Sequence, residues 1–385
     1  MDDLPRYRPT VARVDLAAIR RNLGTMRARL SGAGVSILAA VKADAYGHGL
    51  LPVARALSEE GVDWLGVALT EEGLELRRAA ISTPILVLGG FADGSEPRAL
   101  DAGLTPVLYR SASARALNAI AARRQIPVGV HLKIDTGMNR LGVPMAELPA
   151  FLDLLDDLEH VYIDGVMTHL AEAEAADTEF TEGQLAAFAR AIGQVRSRGH
   201  RPRWLHGANS AGVMTHQGLA EPAGCNLVRP GLALYGIAPD DRLEGVWPLE
   251  PALSFESAIS FLKRVPAGAK ASYGLTWTAR RPTKLATLPV GYGDGYLRAF
   301  GNRAEVLIRG RRAPVVGRVC MDLCLVDVTD VPRVREGDRA ILLGSQSGQR
   351  IGAGELARLV DTIPYEIICA ISPRVPRVYR DEPVV

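Results

Sequence analysis

The sequence predicts an α/β protein: an N-terminal (β/α)8 barrel over residues 1–240, followed by a mostly β C-terminal domain over 241–385. Three observations carry this. Short apolar runs alternate with helix-period stretches from residue 36 to 236, and eight runs in ~200 residues match the strand count of a barrel whose usual size is ~250. Beyond Asp240 the pattern changes to short alternating runs separated by turn residues, which is an all-β signature. A chain of 385 residues also exceeds what one ordinary core serves, so two domains are expected.

Taken in order, residues 11–15 (Val-Ala-Arg-Val-Asp) read as a strand, and whether it joins the barrel or the second domain is open. The eight barrel runs fall at 37–41, 64–69, 85–88, 105–109, 128–134, 161–168, 204–207 and 227–235. Helix-period segments lie between most of them, such as 71–78 and 184–190. Alternation alone fits an open doubly wound sheet equally well. The count of eight, with chemistry-bearing residues at several strand ends, favours the barrel. Residues 240–248 read as a linker. The second domain then shows runs at 253–264, 283–288, 304–308, 313–319, 323–328 and 339–343, with one late helix near 354–360.

Bulk composition narrows the function. Hydrophobic residues make up 48% and charged residues 23%, as in globular proteins, and the net charge of +2 argues against nucleic acid or an anionic membrane as partner. The four cysteines (225, 320, 324 and 369) are scattered, without the spacing of a disulfide framework. Cys320 and Cys324 lie four apart in an expected strand, but no histidine or second pair is near, so no metal site is expected. The opening Met-Asp-Asp-Leu-Pro-Arg lacks the apolar segment of a secretory signal, and no run reaches the length of a membrane span. The expected compartment is the cytoplasm.

The densest chemical signal is Ala40-Val41-Lys42-Ala43-Asp44-Ala45-Tyr46-Gly47-His48-Gly49. It follows an apolar run that reads as a buried strand, so Lys42 stands where that strand ends. An amine in a partly desolvated pocket loses basicity and becomes nucleophilic, as a Schiff-base lysine requires. Tyr46, with Gly47 and Gly49, adds a hydroxyl and close backbone approach, which suit an anionic cofactor group. A strand-ending lysine that merely snorkels to solvent leaves the Tyr-Gly-His-Gly unexplained.

This motif resembles the pyridoxal-phosphate (PLP) attachment site of alanine racemases, and the resemblance continues in order along nearly the whole chain. It implies a PLP-dependent racemase that interconverts L- and D-alanine, supplies the bacterial cell wall, and works as a homodimer with shared sites. Lys42 would carry PLP, which withdraws electrons from the amino-acid Cα, and would serve one face of that carbon. The segment Ala271-Ser272-Tyr273-Gly274-Leu275-Thr276-Trp277 resembles the second-base motif, with Tyr273 as the phenol on the other face. A phenol titrates near ~10, so it needs nearby positive charge to act as a base at neutrality.

The segment Lys133-Ile134-Asp135-Thr136-Gly137-Met138-Asn139-Arg140 also matches. By resemblance Arg140 contacts the PLP phenolic oxygen and the substrate carboxylate, and Lys133 is often carbamylated in the family, which would orient the arginine. Thr168-His169-Leu170, His206-Gly207-Ala208-Asn209-Ser210 and Val228-Arg229-Pro230-Gly231-Leu232 end the sixth, seventh and eighth runs. Loops after strands seven and eight are where such barrels place phosphate, so Asn209, Ser210, Gly231 and Leu232 join Tyr46 as expected cofactor contacts. Resemblance sets Arg229 against the pyridine nitrogen with His169 beside it. A permanent cation there leaves that nitrogen unprotonated and disfavours side reactions such as transamination.

In the second domain, Tyr292 resembles the residue that narrows the entrance. The backbone N–H of Met321 resembles a substrate-carboxylate donor, with Asp322 in support. Pro373 departs from the pattern, because many members carry a tyrosine there near the phosphate. A broader racemase that also accepts serine is one alternative. A barrel-type amino-acid decarboxylase is another, although decarboxylases usually place an acidic residue at the ring nitrogen where Arg229 stands. A non-catalytic PLP carrier built from the barrel alone would need no Tyr273 or Met321.

Overall fold

The computed structural model describes residues 7–31, 34–215 and 224–381. They form two compact units. One comprises Ile19–Ala45 and Gly49–Glu250; the other comprises the described residues up to Ala18, Tyr46–His48, and those from Pro251 onward. The first strand of the chain, β1 (Val11–Asp15), lies in the second of these units.

The barrel unit is built on β2 (Ser36–Ala40), β3 (Trp64–Val67), β4 (Ile85–Val87), β5 (Leu104–Leu108), β6 (Val128–Asp135), β7 (Val143–Pro144), β8 (Val161–Met167), β9 (Trp204–His206) and β10 (Leu227–Val228). The parallel order is β10-β2-β3-β4-β5-β6-β8-β9, with β7 on the flank of β6. The ring is nearly closed where its ends meet. The Asn226 N–H donates to the Leu205 carbonyl at 3.0 Å, and the Arg229 N–H to the Ala208 carbonyl at 2.9 Å. These strands are apolar runs because helices cover the outside and side chains fill the inside, which leaves no solvated face. Every residue of β3 and β4 is buried.

Leu38, Trp64, Leu86, Val107, Met167 and Leu227, one from each of six strands, form a core cluster. Gly66 makes room for it, since a Cβ there would meet the Leu38 side chain at 2.4 Å. Truncating Leu38 to alanine should cost ~2–5 kcal/mol, as for other fully buried leucines. The helix Leu148–Asp156 shows how the outer layer attaches. It buries Leu148, Phe151, Leu152 and Leu155, the i, i+3, i+4, i+7 stripe, and Pro149 sits in its first turn, where a missing N–H is harmless.

The chain leaves β2 through an unusual turn. Ala43, Asp44, Ala45 and Tyr46 all have φ between 51° and 54°. Left-handed conformation costs non-glycine residues ~1–2 kcal/mol each, so four in succession persist only if other contacts impose them. One further constraint sits just beyond, in the second unit: Gly47 has φ 79°, and a Cβ there would lie 2.5 Å from the Ile368 carbonyl oxygen.

The second unit holds a sheet in the order β12-β15-β18-β17-β16-β19-β11-β1-β21, with β20 on β19. Its strands are β11 (Leu253–Ala258), β12 (Phe261–Val265), β15 (Thr283–Leu288), β16 (Glu305–Ile308), β17 (Arg311–Val316), β18 (Cys324–Asp327), β19 (Arg339–Gln346), β20 (Gln349–Ile351) and β21 (Arg377–Arg380). A short hairpin of β13 (Lys270–Ala271) and β14 (Trp277–Thr278) stands apart from that sheet. The sheet is antiparallel except where β1 runs parallel to β21.

Three expected elements differ. The run 227–235 is a strand only at Leu227–Val228, and Leu232–Tyr235 winds into a 3-10 turn that swings backbone N–H groups toward Ser210. The run 253–264 is two strands. It breaks at Ile259 and Ser260, whose N–H groups leave for the Asp338 and Thr287 carbonyls. Cys320 lies outside any strand; only Cys324 is in one.

Candidate active site

In the barrel unit the expected residues gather at the carboxyl ends of the strands, the face on which barrels of this class build their sites. Lys42 follows β2, Lys133 lies near the end of β6, Arg140 follows it, His169 follows β8, Ser210 follows β9 and Arg229 follows β10. The order along β6 explains part of this. His131, Lys133 and Asp135 alternate and therefore share one face of the strand.

Lys133 is buried at 5% exposure, so it does not belong to a surface ion cluster. Burial, then the Arg229 and Arg140 charges, pull its ammonium down to about 8; Asp135 opposes this and Lys42 adds to it. His169 is held down to about 2 by burial and then by Arg229, Arg140, Lys133 and Lys42. One patch thus concentrates four cations, and it electrostatically suits an anion.

Arg229 is locked in place. One guanidinium nitrogen donates to His206 Nδ1 at 2.9 Å; the other donates to the Thr168 carbonyl at 2.7 Å and the Gly207 carbonyl at 3.0 Å, with His169 Nδ1 at 3.4 Å. Burial lowers it to about 10, which still leaves it charged near neutrality. Ser210 Oγ accepts from the Gly231 N–H at 2.8 Å and from the Ala233 N–H at 3.4 Å. Leu232, between them, is fully buried. Asn209 serves its own helix: its side-chain oxygen accepts from the Gly212 N–H at 2.9 Å, and its amide donates to the Leu170 carbonyl at 3.3 Å.

The second unit brings another group together. Asp294 is fully buried and accepts from Arg8 at 2.7 Å, from Arg374 at 3.1 Å and from the Gly291 N–H at 3.0 Å. Arg374 also binds Asp322 at 2.7 Å. The Tyr292 and Gly293 N–H groups donate to the Cys320 and Met321 carbonyls at 3.0 and 2.9 Å. Tyr292, Met321 and Asp322 therefore sit on one braced edge. Pro373 lies in a loop tied down by Arg377, which donates to the Ile371, Ser372 and Val375 carbonyls at 2.6–2.9 Å and to the Gly47 carbonyl at 3.1 Å. Tyr46 is buried here with its ring 5.9 Å from that of Tyr365, and burial raises its hydroxyl well above the ordinary range. Tyr273 stands apart on an exposed 3-10 turn, 73% accessible.

Sequence reasoning missed three residues. His206 is the near partner of Arg229, and His131 continues the chain through a 2.8 Å contact between its Nδ1 and His206 Nε2. Because the guanidinium only donates, His206 must carry its proton on Nε2 and donate to His131. Burial first, then the neighbouring Arg229 charge, push both imidazoles down, His131 to about 3. The alternation of His131 with Lys133 was the available signal. Glu72, the third, had no sequence signal beyond its place in a helix's first turn.

Comparison with known proteins agrees with this architecture. Residues 14–239 match the family description "Alanine racemase, N-terminal domain", and 252–379 match "Alanine racemase, C-terminal domain". The alanine racemase of Geobacter sulfurreducens is 46% identical over 376 residues, 97% of each chain. The solved alanine racemase of Clostridium difficile 630 superposes with a TM-score of 0.90 at 35% identity, over 98% of this chain and 97% of that one. A Bartonella henselae alanine racemase structure "with covalently bound pyridoxal phosphate" matches at a TM-score of 0.87 and 29% identity, over 98% of this chain and 100% of that one. With both halves of the chain matched and identity this high over nearly its full length, the chain belongs to the alanine racemase family, a family of PLP-dependent isomerases.

Proposed function

We propose that the chain interconverts L- and D-alanine using PLP carried on Lys42, with Tyr273 of a second copy as the opposing base, in a cytoplasmic homodimer that supplies D-alanine for peptidoglycan. The observation that carries this reading is the cationic patch of Lys42, Lys133, Arg140 and Arg229 at the carboxyl ends of the barrel strands.

The residues present fit the cofactor's chemistry. Such a patch favours a molecule bearing a phosphate, a phenolic oxygen and, with substrate, a carboxylate. Ser210 Oγ, which accepts from the Gly231 and Ala233 N–H groups, keeps its own O–H as a small, uncharged donor at the loops after the last two strands. Bound there, PLP acts as an electron sink that makes the amino-acid Cα proton removable.

The protein's own groups do the rest. Lys42 Nζ holds and moves a proton on one face of Cα, and Tyr273 Oη does so on the other. Arg140 orients the substrate carboxylate through its planar fork. Arg229, a fixed cation, would hold the cofactor's ring nitrogen as a donor and so would keep it unprotonated. The Met321 N–H adds a second carboxylate donor, and Tyr292 narrows the approach. Tyr273, Leu275, Met321 and Tyr292 are 42–73% exposed on the second unit. Large apolar groups displayed in this way suit burial by a second copy.

Borohydride treatment tests the cofactor assignment. The purified protein should carry a visible band that reduction abolishes, with the added mass mapping to Lys42. A Lys42→Ala protein that keeps the reducible band would overturn it.

A further inference from the structure

We infer that Glu72 is a positioning residue for Lys42: its carboxylate fastens the left-handed turn that carries the lysine to the end of the neighbouring strand. The inference rests on the reading of Lys42 as the cofactor lysine. One oxygen of Glu72 accepts from the Ala43 N–H at 2.7 Å; the other accepts from the Ala68 N–H at 2.8 Å and the Leu69 N–H at 3.1 Å. Ala43 directly follows Lys42 beyond β2, while Ala68 and Leu69 follow β3, and these two strands are paired in the barrel. A single carboxylate therefore clamps adjacent strand ends on the face where the site lies.

A helix cap alone does not account for this geometry. Glu72 is in the first turn of the helix Thr70–Arg78, and its bond to the Leu69 N–H is what a capping carboxylate makes. The bond to Ala43 reaches 29 residues back along the chain and does nothing for that helix. It does hold the first residue of a four-residue stretch in which every φ is positive and none is glycine. The Ala45 N–H closes the turn on the Val41 carbonyl at 2.9 Å, but Ala43 itself is tied by Glu72, and loss of that tie loosens a costly left-handed conformation right beside Lys42. Asp44 secures the far end of the same turn, its side chain accepting from the Leu50 N–H at 2.7 Å and its carbonyl from the Gly49 N–H at 2.9 Å. With that end fixed, loss of Glu72 loosens the end of the turn next to the lysine.

Glutamine at position 72 keeps the length but offers one acceptor oxygen, and its NH2 would face N–H donors. It must release either Ala43 or the Ala68–Leu69 pair. The test compares wild-type and Glu72→Gln holoenzyme by three readouts: visible circular dichroism of the cofactor band, amide hydrogen exchange of the peptide spanning 40–50, and kcat against KM for alanine. Expected are an altered dichroic band, faster exchange in that peptide, and a kcat lowered ~10–100-fold with KM within about threefold, the size of effect seen when a reacting group is displaced by about an ångström. Wild-type dichroism and exchange would overturn the inference, even if kcat fell, because the turn would then be held without Glu72.

If Glu72→Gln does not fold, Glu72→Asp decides by the same readouts: it keeps the charge but is one methylene too short to span both strand ends. Failure of the underlying reading is distinguishable. It would appear as a borohydride-reducible band in Lys42→Ala, whatever Glu72→Gln does.

Discussion

Adding carbon-13 bicarbonate to the purified protein should place one carbamate on each chain, at Lys133. Only a neutral amine, with its lone pair free, attacks the carbon of carbon dioxide, and the nitrogen releases a proton as the new N–C bond forms. With its ammonium drawn down to about 8 by burial and by Arg229, Arg140 and Lys42, about a quarter of Lys133 is neutral near pH 7.5. An ordinary lysine is neutral roughly once in a thousand. The reactive fraction is thus raised by about two orders of magnitude at this one position. The product replaces a cation with an anion in a patch of four cations, which also relieves the repulsion that depressed the amine.

The stability linkage has the same sign. A folded pKa below the unfolded one stabilises above about pH 10.5, and that contribution is lost as pH falls through about 8, a penalty of ~3 kcal/mol at neutrality for the unmodified side chain. Bicarbonate should therefore raise the melting temperature at pH 7 in the wild type and leave Lys133→Ala unchanged. Carbon-13 NMR reads the carbamate directly. A wild-type spectrum without it, together with competitive labelling that gives Lys133 an ordinary lysine pKa, would refute the electrostatic reasoning.

Three further predictions concern the remaining groups. Tyr273→Phe should slow racemisation by roughly 10²–10⁴-fold, the loss of a general base, while PLP stays bound; loss of the cofactor band along with activity would make the tyrosine structural. Mixing inactive Lys42→Ala with inactive Tyr273→Phe should restore part of the activity after subunit exchange, since a mixed dimer rebuilds one complete site; no recovery after verified exchange would mean self-contained sites. Stability should fall steeply below pH 6.5, because His131, His169 and His206 are each held neutral in the fold and charge on unfolding. At pH 5 the loss is ~2 kcal/mol per imidazole. Denaturant titration of His131→Leu should show a shallower fall between pH 7 and 5, and an identical slope would contradict the assignment.

Much of the barrel was legible because parallel strands buried on both faces must be apolar throughout, as in Ile85–Val87. The eighth run was misleading for the same reason. Leu232–Tyr235 is fully buried, and an apolar run of that length fits a strand or a 3-10 turn equally. The late strand Arg377–Arg380 was invisible locally, since its partner β1 lies at the other end of the chain. Site residues with side-chain chemistry of their own, Lys42, Arg140 and Arg229, could be read from motif and position. The left-handed turn at Ala43–Tyr46 could not, because alanine and tyrosine disfavour it, one aspartate tolerates it only as a single residue, and the carboxylate that holds Ala43 comes from the next β/α unit. His206 was read as part of a loop motif rather than as the partner of Arg229, which only the geometry brings within 2.9 Å.

Racemisation of alanine by PLP on Lys42 can be followed by incubating the holoenzyme with pure L-alanine in deuterium oxide and reading optical rotation and Cα deuteration together. Rotation should decay to zero, with deuterium entering at Cα and all the alanine retained, and D-alanine should reach the same end point. A preparation with an intact borohydride-reducible band on Lys42 that leaves the rotation unchanged, or that releases carbon dioxide instead, would contradict it.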